Sequence, residues 1–354
     1  MNLTSWMVCA WCLLTFTAPT FAGYDEALAA MQKRDYVTAL PLLQEAADKN
    51  DPRAVNALGI FYLQGLGVAR DEKRGVVLFE QAANLGSSRA MNALAEVYGQ
   101  GAAGIPPNVS KARDWAWKSS LLNDPTGQFI FFQLANQNEL RSTDATGKRD
   151  AERYGVLAKR PMQERELDVK AFTMLSRAAE VGHLPAATLA AATLLGSPGE
   201  TNAVRLSKLL PLLEKEPTLS SNPVMAMIKQ QNMQLSYLHS LGSTYVTPKI
   251  YKDALSTVLS ITSLFVGNGL PEGSTCPVER MRLMKMEVTQ PLSNKTYLPV
   301  DAVFLRSAIL VQGRWQERWT YEACGKTVSV PVDFTADGGG GAFISVQAKD
   351  IQML

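Results

Sequence analysis

The chain has 354 residues, 35 Lys and Arg against 33 Asp and Glu, a net charge of +2, and 46% apolar residues. Near-neutrality excludes the basic field that nucleic-acid binding or steering to an anionic membrane requires. The apolar content supports real cores, and the length suits two domains.

The first 22 residues contain no Asp, Glu, Lys or Arg. Leu13-Leu14-Thr15-Phe16 lies in an apolar stretch that ends at Thr20-Phe21-Ala22, with small residues at the −3 and −1 positions. This predicts a signal peptide, 1–22, cut between Ala22 and Gly23. Its apolar run is shorter than the ~20 residues of a spanning helix. Cys9 and Cys12 lie inside it without the upstream context of a lipoprotein signal. No later stretch is apolar and long enough to cross a membrane. The expected mature chain is exported, most simply to a bacterial periplasm. It keeps only Cys276 and Cys324, which read as one disulfide. Free thiols or half a metal site are the other readings. The chain has only His183 and His239, both in its helical half, and that argues against a metal site.

Next comes a sequence that returns on itself. Arg53-Ala54-Val55-Asn56-Ala57-Leu58 comes back as Arg89-Ala90-Met91-Asn92-Ala93-Leu94, and Tyr62, Gln64 and Gly65 as Tyr98, Gln100 and Gly101, always 36 residues later. A fixed period of this size signals stacked repeats. Ala54, Ala57, Leu58, Phe61 and Tyr62 fall on one helical face. Gly65 and Gly67 end that helix, and Asp71 caps the next, which carries Val76, Val77, Leu78, Phe79, Ala82 and Ala83 and stops at Gly86. In the second copy Asn108 is the cap, and Trp115 and Trp117 follow. Tyr36 to Lys49 fits the second helix of an earlier repeat. Lys170 to Gly182, then Ala186, Leu189 and Ala190, restate the pattern later.

At Ala54, Ala57, Leu58, Gly59, Tyr62, Gly65, Gly67, Val68, Asp71, Ala82, Ala83 and Gly86 the chain resembles the SEL-one-like repeat family, kin of the tetratricopeptide repeats. The match is strong over 53–88, good over 89–120, and partial over 26–52 and 168–195. It departs where Ala95 replaces a helix Gly and Gly75 replaces the usual Ala. The resemblance implies an α-solenoid over 23–195 that binds proteins, and it implies no catalytic residue. Residues 127–167 fit poorly and read as a degenerate repeat or an insertion.

Residues 196–270 stay helical but lose the period, and are expected to cap the solenoid. From Cys276 the period becomes two. Val328, Val330, Val332 and Phe334 alternate with polar residues, Trp315, Glu317, Trp319 and Tyr321 share a face of the preceding strand, and Cys324-Gly325 lies in the turn between them. Asp337 to Gly341 predicts a second turn before a strand at 343–347, and Asp301 to Gln312 predicts another strand. The expected fold is mainly α: a solenoid followed by a small antiparallel β domain, 271–354, fastened by the disulfide.

Chemical motifs are weak. The run Gly338 to Gly341 lacks a phosphate-loop pattern. Gly325-Lys326-Thr327 has that pattern's ending, but Thr320 stands where its first Gly belongs. Both read as turns. The carboxylate pairs Asp25/Glu26 and Glu164/Glu166 read as solvated helix faces. No catalytic, cofactor or metal residue is assigned. The partner-binding candidates are Tyr62, Tyr98, Trp115, Trp117, Trp315, Glu317, Trp319 and Tyr321, since Trp and Tyr concentrate at binding hot spots. The four on the β strand read either as core or as a contact surface, because Glu317 needs a partner if buried.

The expected function is a non-enzymatic periplasmic scaffold with a protein in its groove. Exported proteins that look like this include immunity proteins that neutralise secreted antibacterial phospholipases. The alternatives are an envelope protein that recognises glycan or lipid through the β domain, and, last, a hydrolase.

Overall fold

The computed structural model describes residues 22–102, 104–140, 162, 165–198, 201–215, 223–269 and 275–354. The expected signal peptide, apart from Ala22, and residues 141–161 of the irregular stretch lie outside these. Among the described residues are twelve α-helices followed by an antiparallel sheet. They fall into two compact units that divide between Pro107 and Asn108.

The first unit holds α1 (Ala22–Gln32), α2 (Tyr36–Asp48), α3 (Pro52–Gln64), α4 (Glu72–Asn84) and α5 (Ser88–Gln100). The starts of α2 to α5 carry side-chain caps. Asp35, Asp51, Asp71 and Ser87 accept backbone N–H groups of Thr38, Arg53, Arg74 and Ala90 at 3.1, 2.8, 2.9 and 3.3 Å. Such caps satisfy donors that the first helical turn leaves free. The buried stripes are rich in small residues: Ala39 and Ala46 on α2, Ala54 and Ala57 on α3, Ala82 and Ala83 on α4. Small side chains let neighbouring helices approach, and Leu43, Leu58, Phe61 and Phe79 fill the remaining space.

A close approach of α3 and α4 explains one departure from the repeat pattern. A Cβ on Gly75 would lie 2.9 Å from the Gly59 carbonyl oxygen and 3.2 Å from the Leu63 nitrogen, while one on Gly59 would lie 2.6 Å from the Phe79 ring. Gly75 is therefore the residue that lets α4 sit on the backbone of α3. We expect Gly75→Ala to destabilise the repeat helices by about 1–3 kcal/mol, because overpacking against backbone outweighs the ~1 kcal/mol gain in helix propensity. Urea unfolding of the two proteins checks this. A more stable variant would show that α3 and α4 have room to part.

The second unit begins with α6 (Val109–Leu121) and α7 (Pro125–Leu140), then α8 (Glu166–Glu180), α9 (Leu184–Gly196), α10 (Asn202–Glu214), α11 (Pro223–Ser240) and α12 (Pro248–Gly267). The irregular stretch is thus helical through Leu140. Ring contacts tie its helices together: Trp117 to Phe131 at 5.0 Å and Phe132 to Phe172 at 5.3 Å. Helix α9 buries Ala186, Ala187, Ala190, Ala191, Leu194 and Leu195. It packs against α8, α10, α11 and α12, which is why its sequence is apolar nearly all round. Together α8 and α9 have membrane-like length and composition but are bent by 119°, and no single described helix is long and apolar enough to cross a membrane.

Strands β1 (Met281–Tyr297), β2 (Leu310–Ala323), β3 (Lys326–Ala336), β4 (Ala342–Ser345) and β5 (Gln352–Met353) form one antiparallel sheet, ordered β1-β2-β3-β4, with β5 also paired to β3. Cys324 and Gly325 form the two-residue β2–β3 turn with φ of 50° and 77°. Positive φ at both positions matches the twist of a hairpin. Cys276, just before β1, is bonded to Cys324, with Cα atoms 6.0 Å apart. One face of the sheet and α12 share a core. Ile250, Ala254, Val258 and Val266 meet Met286, Trp319, Val328, Val330 and Val332.

The strand expected over 301–312 forms only from Leu310. Residues 301–309 are a loop on α8 that buries Ala302, Phe304, Leu305, Ala308 and Ile309 and leaves Asp301, Val303, Arg306 and Ser307 exposed. The N–H groups of Phe304 and Leu305 donate to the Ser176 hydroxyl at 3.1 and 3.3 Å, and that of Val303 to a Glu180 carboxylate oxygen at 2.7 Å. Helix side chains thus supply what a strand ladder otherwise provides. Phe304, Leu305 and Ile309 look like strand residues because they are buried, not because they pair.

Candidate functional site

Each repeat tyrosine sits against α4. The Arg74 guanidinium lies over the Tyr62 ring at 4.2 Å. The Tyr98 hydroxyl donates to Glu80 at 3.2 Å. Burial and the Glu80 charge push the Tyr98 hydroxyl up, so it stays a neutral donor. Tyr62 and Tyr98 are both half-buried.

A cavity of about 320 Å³ opens in the first unit, lined by Leu63, Arg70, Glu72, Glu96, Val97, Gln100, Gly101 and Ala102; neither Tyr62 nor Tyr98 is in its lining. Glu72, the first residue of α4, is only 6% exposed. Arg70 donates to one of its carboxylate oxygens. The other, Oε2, is buried and has no hydrogen-bond partner. Sequence reasoning missed this group, because a Glu after a capping Asp looks like an ordinary first-turn acid.

The β2 candidates come together, but inside. Trp315, Trp319 and Tyr321 are at most 3% exposed, and Glu317 is fully buried. The contact-surface reading of this face is therefore corrected: it is core, covered by α12 and the loop before it. Trp315 stacks on Phe334 at 4.9 Å, and Tyr251 of α12 lies 5.5 Å from Trp319. No glycan, lipid or protein reaches this row in the fold.

Glu317 finds its partners in that loop and in its own neighbours. It accepts from the Thr244 hydroxyl at 2.8 Å, the Tyr245 N–H at 2.8 Å, Trp315 Nε1 at 3.2 Å and Trp319 Nε1 at 3.0 Å. No cation is needed, and neither Arg314 nor Arg318 supplies one. Burial pushes the Glu317 carboxyl up while these donors pull it back.

Trp115 and Trp117 belong to the second unit and point apart, as their spacing requires. Lys118 lies over Trp115 at 3.9 Å, and Trp117 packs on Phe131. Both are half-buried.

The remaining candidate chemistry has structural roles. His183 caps α9, its Nδ1 accepting from the Ala186 N–H at 3.3 Å, and burial lowers its pKa so that this acceptor stays neutral. His239 shares a void with Ser197 and Asn202, but at about 10 Å³ it admits a water and no substrate. In the Gly-rich turn the Asp337 carboxylate accepts the N–H groups of Gly339 and Gly341 at 2.7 and 2.9 Å, and Arg165 grips the Gly338 carbonyl at 2.6 Å. Those N–H groups are therefore spent on Asp337, not open to a phosphate. Asp25 pairs with Arg53 at 3.6 Å and Glu166 with Lys170 at 2.6 Å. Glu164 lies outside the described residues. Among the described residues no three His, Cys, Asp or Glu gather to hold a metal. A second groove, about 720 Å³, lies between α11 and α12 and is lined by Gln230, Gln234, Tyr237, Lys249 and Tyr251 among others.

The Sel1 repeat family matches residues 24–51, 52–87 and 88–124. No curated protein matches the chain. Among solved structures, a Sel1 repeat protein from Oxalobacter formigenes is 20% identical, over 48% of this chain and 97% of that one, with a TM-score of 0.30. The protein c5321, a protective antigen present in uropathogenic Escherichia coli strains and displaying an SLR fold, is 16% identical over 63% of this chain and 56% of its own, with a TM-score of 0.32.

Proposed function

We propose that this chain, a Sel1-repeat protein through residues 24–124, is an exported scaffold that holds a protein partner against its repeat helices. Sel1 repeat proteins are generally scaffolds for protein–protein interaction. The observation that carries the reading is the cavity in the repeat unit. It joins apolar walls, charged groups and a buried carboxylate oxygen left without a partner. Such a group is costly to bury, and a partner's donor recovers that cost.

The periplasm is the compartment that fits best. The uncharged, apolar first 22 residues support export, and the Cys276–Cys324 bond supports an oxidising destination. The narrower role we favour is immunity: one-to-one capture of a secreted antibacterial effector, a phospholipase being the first candidate. Binding of the purified chain, residues 23–354, to the effectors encoded beside its gene tests this role. Tight binding to one, with deletion of the gene sensitising cells to it, is the expected result. Indifference of the deletion strain to every neighbouring effector removes the immunity role. Failure of the same bait to retain any stoichiometric envelope protein removes the scaffold reading itself.

A further inference from the structure

We propose that the cavity between α3, α4 and α5 receives the cationic side chain of a lysine or arginine presented by the protein partner. The proposal rests on the scaffold reading and gives it a recognition chemistry.

Three observations converge on a cation. The first is the Glu72 carboxylate, 6% exposed, with Oε1 held by Arg70 and Oε2 buried and unpartnered. A buried acceptor without a donor costs about 1–3 kcal/mol, more when charged, and an incoming N–H group relieves it. The second is charge. Glu72 and Glu96 carry two negative charges and Arg70 one positive, so the lining is left with a net charge of −1. One added cation neutralises it. Glu96 is exposed and makes no ion pair among the described residues. The third is the end of α5. Val97, Gln100 and Gly101 line the cavity at the C-terminal turn of a 13-residue helix, where the helix dipole favours positive charge.

The shape selects a side chain over a metal ion or a whole helix. About 320 Å³ is at the small end of ligand pockets. Leu63 and Val97 give apolar walls for the methylene stem, a division that lysine and arginine use when they bury stems and keep their charged heads among polar groups. A calcium or magnesium ion would need about six oxygen ligands, which two carboxylates, one already engaged by a guanidinium, do not supply, and the lining has no His or Cys for zinc. The cavity also lies where the second and third repeats meet. Glu72 comes from residues 52–87, and Glu96 and Gln100 from residues 88–124.

The test uses the chain from residue 23 to 354, labelled with ¹⁵N. N-acetyl-lysine amide, N-acetyl-arginine amide and, as the uncharged control, N-acetyl-norleucine amide are titrated into it. The expected result is saturable amide shifts confined to residues 70–73 and 96–102 with the two cations and none with norleucine. Affinity should fall at least tenfold in Glu72→Gln and severalfold in Glu96→Gln. Glu96 is exposed, so its variant reports on binding even if Glu72→Gln fails to fold. Equal shifts with norleucine amide, unchanged affinity in Glu96→Gln, or a stronger response to calcium than to either cationic amide would overturn the proposal. A captured partner that binds Glu96→Lys as tightly as the parent overturns this subsite and leaves the scaffold reading standing.

Discussion

Glu317→Ala is expected to cost the fold about 3–5 kcal/mol, read as a lower urea midpoint, because it strands two buried indole N–H donors and one part-buried backbone N–H at once. Tyr245 N–H, Trp315 Nε1 and Trp319 Nε1 all point at this one carboxylate, and the Thr244 hydroxyl joins them. The residue is fully buried, so water cannot take its place without opening the core. Through it the loop between α11 and α12 is fastened to β2, and the Trp row stays covered. Glu317→Gln keeps the shape but turns an acceptor into an NH₂ donor facing at least one N–H. A smaller loss of about 1–3 kcal/mol is expected. The pair of proteins also has a predictable pH dependence. Burial raises the folded carboxyl above its ordinary value of 4.5. The folded chain therefore holds this proton more tightly than the unfolded chain. The stabilisation from that proton is complete below about 4.5 and disappears as pH rises through the folded value. The parent's advantage over Glu317→Gln should accordingly shrink as pH rises above 4.5. An advantage that grows with pH would mean that the four donors outweigh burial.

Loss of the Cys276–Cys324 bond is the second large effect. The cysteines are 48 residues apart. Closing a loop of that length stabilises by about 4 kcal/mol in the chain-entropy treatment. Its position adds to the effect. Cys276 is buried ahead of β1, its carbonyl accepts from the Ser263 hydroxyl of α12 at 2.6 Å, and Cys324 sits in the β2–β3 turn. One bond therefore ties the α12–β1 connection to the hairpin. The double variant Cys276→Ser, Cys324→Ser should unfold at markedly lower urea, and the parent should match it when reduced. Unchanged midpoints in both would show that α12 alone holds the sheet.

The repeats were legible because their physics is local. Asp71 and Asn108 declare helix starts, and the Ala stripes declare which faces meet. The β2–β3 hairpin was legible for the same reason, from its alternation and from Cys324-Gly325. The 301–309 loop was not, because an apolar run records burial and leaves open whether its N–H groups meet a strand or, as here, Ser176 and Glu180. The need of Glu317 for a partner is legible, and two of its donors, Trp315 and Trp319, stand two residues either side of it. The other two, Thr244 and Tyr245, lie more than seventy residues away, where no spacing rule points. The Glu72 cavity was invisible for a related reason. It is built from the ends of three helices, and only packing brings Arg70, Glu72 and Gln100 to one place.

The most direct test of the central claim is photocrosslinking in living cells. A photoreactive residue replaces Gln100, in the cavity wall, or Val37, which is 81% exposed and does not line the cavity. The scaffold account predicts one discrete crosslinked protein at Gln100, and none at Val37. Equal crosslinking at both positions, or none at Gln100 in cells where the partner is expressed, would contradict it.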